Sequence, residues 1–89
     1  MTEDNGCLWV LPGSHRLGPR PHVPAGQILR AEVPPDAEAT AIPVLLDPGD
    51  VATFSSLTLH RSGPNRTTGT RPAWLLQFRD AGARRVPES

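Results

Sequence analysis

The sequence predicts an all-β domain with one long proline-rich loop, and three observations carry that expectation. Eleven prolines and eight glycines in 89 residues leave little room for long helices, because proline removes a backbone donor and glycine weakens helix interiors. Short apolar segments rich in β-branched and aromatic residues stop at turn signals, as strands do. Between them, residues 14–40 carry Pro19, Pro21, Pro24, Pro34 and Pro35 with scattered charges and no sustained period, which reads as loop.

Cys7-Leu8-Trp9-Val10-Leu11 is apolar and ends at Pro12-Gly13, so it is expected to be a buried strand closed by a turn. The loop over residues 14–40 follows, with room for one short helical turn. Ala41-Ile42-Pro43-Val44-Leu45-Leu46 is a short strand whose proline suits a sheet edge. Asp47-Pro48-Gly49-Asp50 has the chemistry of a type II turn, with proline presetting φ and glycine supplying a positive φ. Residues 51–60 then read as one strand. An unbroken strand there places His60 and Ser62 on the same side, since side chains alternate. A turn from Gly63 to Gly69 leads into a last strand over residues 72–78, apolar on both parities, as expected of a strand buried on both faces. Trp9 and Trp74 are expected in the core, and Cys7 as a small core residue. The domain is placed at residues 1–80, with a polar tail at 81–89. No internal repeat or low-complexity segment interrupts this order.

Length and charge restrict what the chain can do. One small domain is the most that 89 residues allow, and a chain of this size buries roughly 60–65% of its unfolded surface. Nine basic and nine acidic residues cancel, with no basic run to suit nucleic acid. A single cysteine cannot form an internal disulfide, and the first residues lack the pattern of a signal peptide. No apolar run approaches the ~18 residues of a membrane span. The expectation is a soluble, cytoplasmic chain in a reduced setting, with a small molecule rather than nucleic acid or membrane as its partner.

The chemistry concentrates in Leu59-His60-Arg61-Ser62-Gly63-Pro64-Asn65-Arg66-Thr67, with Arg71 beyond the next turn. A histidine beside a small hydroxyl, followed by an arginine, suits a metal-bound acid with a second carboxylate, which points to iron and 2-oxoglutarate. Arginine offers a permanent planar cation that pairs with a carboxylate through two donors. Arg71 is preferred over Arg61 and Arg66, which lie at the opposite parity or in the turn and are read as solvated. Each of these residues also has a plainer reading: a structural histidine, a surface cation, a turn serine. His15 and His22 read as surface histidines, Asp50 as a turn residue, and Asn65-Arg66-Thr67 as a glycosylation pattern without effect unless the chain is secreted.

Three blocks in order resemble the phytanoyl-CoA dioxygenase family. They are Asn5-Gly6-Cys7-Leu8-Trp9-Val10-Leu11-Pro12-Gly13-Ser14-His15, then Leu46 to Val51, then His60 to Thr67, with the intervening loop unmatched. The resemblance implies the C-terminal portion of a double-stranded β-helix, a cupin-like jelly roll. It implies non-haem Fe(II) as cofactor and 2-oxoglutarate as co-substrate, in an oxidoreductase that hydroxylates a small organic molecule. By the same resemblance His60 is an iron ligand, Ser62 a hydroxyl near the co-substrate and Arg71 the clamp for its distal carboxylate. No catalytic residue beyond the metal ligand is implied.

The sequence departs from the family in one respect. The family's other two iron ligands come from a His-x-Asp or His-x-Glu motif upstream of the Asn-Gly-Cys block, and the residues two places after His15, His22 and His60 are Leu17, Pro24 and Ser62. One ligand of three is too few to hold Fe(II) on the face of a two-histidine, one-carboxylate site. The expectation is a dioxygenase fragment inactive by itself, which self-associates or is completed by an N-terminal half. The alternatives are a non-catalytic jelly-roll module, binding a small anion or a partner through Arg71, and a degenerate remnant.

Overall fold

A computed structural model describes residues 1–26 and 28–82. It contains five short strands, β1 (Leu8–Val10), β2 (His22–Ala25), β3 (Ile28–Ala31), β4 (Ile42–Val44) and β5 (His60–Ser62), a 3-10 turn (Ser14–Leu17), and a one-turn helix, α1 (Ala37–Thr40). Strands dominate and helix is scarce, in agreement with the all-β expectation. They form two separate antiparallel sheets, a three-stranded one in the order β4-β1-β5 and a hairpin of β2 and β3.

The three-stranded sheet carries His60 and Ser62. β1 is central because Cys7 to Val10 is the apolar run nearest to two further extended segments, and it pairs on both sides. Leu8, Trp9 and Val10 lie opposite Val44, Pro43 and Ile42 on one side, and opposite Ser62, Arg61 and His60 on the other. Pro43 thus sits in an edge strand, where its missing N–H costs no ladder bond. A lone bridge between Asn5 and Asn65 continues the β1–β5 register. Between them Gly63 N–H donates to the Cys7 carbonyl at 2.9 Å. Gly6 is required in this stretch. Its φ is 88°, and a Cβ there would lie 2.9 Å from the Gly63 carbonyl oxygen.

Two Pro-Gly turns punctuate the sheet as expected. At Leu11-Pro12-Gly13-Ser14 the Ser14 N–H returns to the Leu11 carbonyl at 3.2 Å, with Gly13 at φ 76°, ψ −1°, the type II geometry. At Asp47-Pro48-Gly49-Asp50 the Asp50 N–H returns to Asp47 at 3.0 Å, with Gly49 at φ 94°. The Asp50 carboxylate also accepts from the Asp47 N–H at 2.9 Å.

Three expectations require correction. The region from Ser14 to Thr40 is not one irregular loop: besides its helical turns it holds the β2–β3 hairpin, whose turn opens at Gly26 with φ 67°. Prolines and charges hide the alternation there, and Pro24 is tolerated because a two-stranded hairpin consists only of edges. Residues 51–60 do not form one strand, because Ser55 captures the donors that follow it. Its hydroxyl accepts from Leu57 N–H at 3.1 Å and its carbonyl from Thr58 N–H at 3.0 Å, so the backbone turns before β5 begins. Residues 72–78 form no strand either, since no described segment lies alongside to pair with them. Trp74 is accordingly 88% exposed rather than core, and Phe78 is 90% exposed. Most of the polar tail, residues 83–89, lies outside the described residues.

Little of the chain is buried. Among the described residues Cys7 and Ala37 are the buried apolar side chains and Ser14 the buried polar one. The radius of gyration is 14.4 Å, against about 12 Å for a compact domain of this length.

Candidate functional site

The register of β1 and β5 decides which side chains share a face. His60 and Ser62 alternate with Arg61, so they project to one side of the sheet together with Leu8, Val10, Ile42 and Val44. Trp9, Pro43 and Arg61 occupy the other side. The parity argument for His60 and Ser62 therefore holds although the preceding strand is broken, because both residues lie within β5.

His60 is exposed and fixed by two neighbours. Its Nδ1 lies 2.9 Å from the Thr58 carbonyl oxygen, and a carbonyl can only accept, so Nδ1 carries the proton in this bond. The neutral ring then keeps its lone pair on Nε2, directed away from its own backbone. Metal-binding histidines are commonly fixed by such a bond from the other ring nitrogen. The Phe54 ring packs against the imidazole, with centroids 4.9 Å apart and planes inclined at 55°.

Arg71 reaches back to the start of β1. Its Nε donates to the Asn5 carbonyl at 3.3 Å and its Nη2 to the Gly6 carbonyl at 2.6 Å, a contact across 65 residues of sequence. Nη1 takes part in neither bond. Along the β1–β5 ladder the order is therefore His60 opposite Val10, Ser62 opposite Leu8, and Arg71 at Asn5 and Gly6. Gly6 and Val10 are four residues apart, about 13 Å at ~3.3 Å per residue. The turn that returns the chain toward Arg71 is closed by Asn65. Its Oδ1 accepts from the Thr67 N–H at 2.9 Å and the Thr67 hydroxyl at 2.6 Å, while its Nδ2 donates to the Gly69 carbonyl at 2.9 Å. Asn65 and Thr67 thus build a loop, which accounts for their spacing without any modification.

The opposite face is occupied differently. The Arg61 guanidinium lies 5.0 Å from the centre of the Trp9 ring and pairs with both carboxylate oxygens of Glu38, at 3.2 and 2.9 Å. Arg61 is thus engaged and not merely solvated. A shallow depression of about 320 Å³ lies beside it, bordered by Trp9, Arg61, Arg66, Glu3 and Asp4. It shares no lining residue with the His60 face. His15 and His22 are exposed.

Comparison with known proteins bears on the family of the chain. The model of the phytanoyl-CoA dioxygenase (PhyH) family matches residues 1–73. The chain belongs to the phytanoyl-CoA dioxygenase family. Dioxygenase lolE1 of Epichloe uncinata is 40% identical over 72 residues, covering 81% of this chain and 27% of that protein. Peroxisomal phytanoyl-CoA dioxygenase of Homo sapiens is 30% identical over 87 residues, covering 91% of this chain and 26% of that protein. A probable phytanoyl-CoA dioxygenase of Caenorhabditis elegans is 34% identical over 88 residues, covering 82% of this chain and 25% of that protein. The chain thus spans about a quarter of the length of the curated relatives it matches. No solved structure matches it.

The iron site implied by this family can be tested on the donor chemistry present. His60, with Nδ1 bonded to Thr58 and Nε2 turned outward, fits the part of one ligand. Among the described residues no three His, Cys, Asp or Glu side chains gather where a metal could be held. The fit is therefore to one corner of a centre and not to a complete one. The groups that sequence reasoning missed are the carbonyls of Asn5 and Gly6, the Thr58 carbonyl and the Ser14 hydroxyl. Backbone carbonyls carry no sequence signal; the serine stood in a visible Pro-Gly-Ser turn.

Proposed function

We propose that this chain supplies one metal ligand and the 2-oxoglutarate clamp to an Fe(II)- and 2-oxoglutarate-dependent dioxygenase on a jelly-roll domain, which hydroxylates a small organic substrate. The observation that carries the reading is that His60 and Ser62 share one face of β5 while Arg71 is bonded to Asn5 and Gly6, just ahead of β1. That arrangement suits an acid held at a metal at one end and at a cation at the other. Iron bound in such a domain would supply oxygen activation. The chain's own residues have three tasks. His60 offers Nε2 while Thr58 holds the Nδ1 proton, Ser62 offers a hydroxyl between the two ends, and Arg71 is oriented by Asn5 and Gly6 so that its guanidinium faces the distal carboxylate. An arginine is better suited than lysine here, because two of its donors hold it to the backbone while others reach the ligand.

The remaining ligands would come from an N-terminal half that completes the domain. A reduced, cytoplasmic setting is proposed on the buried, unpaired thiol of Cys7. No helix among the described residues is long and apolar enough to cross a membrane. The test is to join the chain to an upstream segment bearing a His-x-Asp motif and to measure succinate formed from 2-oxoglutarate. Turnover should disappear in His60→Ala, and Arg71→Gln should raise the 2-oxoglutarate requirement by about tenfold or more, the loss expected for a charge-assisted contact. Full activity in His60→Ala would refute the assignment.

A second reading starts from the bonds that hold Arg71 to Asn5 and Gly6. In it the chain is a non-catalytic module that binds a small dicarboxylate through Arg71. Titration of 2-oxoglutarate into the chain joined to the upstream His-x-Asp segment, with and without Fe(II), separates the two, since the module binds equally well in either case while the dioxygenase binds more tightly with iron.

A further inference from the structure

We infer that Ser14 is a positioning residue for His60, locking the imidazole into the tautomer that leaves Nε2 open. This rests on the reading of His60 as a metal ligand, and it gives a task to the Pro-Gly-Ser turn that the sequence does not reveal. Ser14 is 3% exposed, and its hydroxyl oxygen accepts from the Leu59 N–H at 2.8 Å across 45 residues of sequence. The Leu59 carbonyl in turn accepts from the Leu11 N–H at 3.0 Å. Both backbone groups of Leu59 are thus tied to the β1 turn, one to its first residue and one to its last.

Leu59 stands between the two partners of the tautomer-fixing bond. Thr58 supplies the carbonyl and His60 the ring, so the orientation of both peptide units next to Leu59 sets whether that bond can form. The preceding segment cannot fix them by itself, because the backbone turns at Ser55 and residues 51–59 have no strand partner apart from this attachment. The placement of the hydroxyl is set by the type II turn, in which Pro12 and Gly13 direct residue 14 back over the end of the ladder. A hydroxyl is suited to the task because it can accept from a peptide N–H that would otherwise be left unpaired beside a buried group.

The experiment is nitrogen-detected NMR of the His60 ring in the 89-residue chain, at a concentration where it is monomeric and a pH where the imidazole is neutral, together with amide hydrogen exchange. In the unaltered chain the Nδ1–H tautomer should predominate. Ser14→Ala should shift the ring toward Nε2–H and speed Leu59 amide exchange by about tenfold, the loss of one hydrogen bond, while Gly63 N–H, bonded to Cys7, keeps its protection. Ser14→Thr, which retains the hydroxyl, should keep the original tautomer. If Ser14→Ala also exposes the Gly63 amide, Ser14→Cys, of nearly the same size and a weak acceptor, decides by the same two readouts. An Nε2–H ring in the unaltered chain, or an unchanged ring in the serine variant that keeps the sheet, would overturn the inference. Failure of His60→Ala to abolish succinate formation would instead overturn the metal assignment and leave the tautomer result standing.

Discussion

Gly6 shows how a single backbone position can serve both the sheet and the site. Its positive φ and its close approach to Gly63 exclude a side chain, and its carbonyl is the shorter of the two Arg71 contacts. Gly6→Ala is therefore expected to destabilise the chain by on the order of 2 kcal/mol, the cost of holding a non-glycine residue in strained backbone. Urea unfolding should show an earlier midpoint, and amide exchange at Gly63 should quicken. An unchanged midpoint would mean that the β1–β5 register shifts without cost. His60 and Ser62 were readable from the sequence as a same-face pair, because alternation is a local property of any strand that contains both. The Thr58 and Leu59 attachments were not, since they depend on which distant groups the chain brings alongside.

Among the elements, β5 presents different side chains on its two faces. One face carries His60 and Ser62, the residues of the proposed function, while on the other Arg61 turns to Trp9 and to Glu38 of α1, tying the loop region to the sheet. The Arg61–Glu38 pair is largely solvent-exposed, with the side chains 42% and 73% accessible. Pairs of this kind contribute about 0–1 kcal/mol. Glu38→Gln should lower the unfolding midpoint only slightly, the more so at high salt, and leave the His60 ring unaltered as read by its NMR shifts. A large loss of stability would indicate that the pair, with Trp9 beneath it, holds α1 in place. The hairpin of β2 and β3 illustrates the limit of reading strands from pattern. Its prolines and charges mask the alternation, and it forms because His22 to Ala25 and Ile28 to Ala31 pair with each other across the turn at Gly26.

Taken together, the described residues leave a run of large apolar side chains exposed near the end of the chain. Trp74, Leu75, Leu76 and Phe78 are 62–90% exposed, and they adjoin no strand that could cover them. Such a segment invites association with another polypeptide. The chain is expected to self-associate or unfold with low cooperativity, and replacing Trp74 and Phe78 by serine should shift sedimentation toward monomer. A sharp two-state transition of a monomer would count against this. Joined to an upstream segment that covers residues 72–78, the same chain should become monomeric.

The sequence by itself determined the β class, the two Pro-Gly turns, the edge position of Pro43, the pairing of His60 with Ser62 on one face, and the three ordered blocks of the family. These follow from backbone preferences and side-chain alternation, which act over a few residues. Only the tertiary structure decided that residues 51–59 and 72–78 are not strands, that Arg71 is held by the carbonyls of Asn5 and Gly6, and that Ser14 reaches Leu59. A strand and a side-chain anchor both need a partner from far along the chain, and the distance between partners in space is not written in either segment alone.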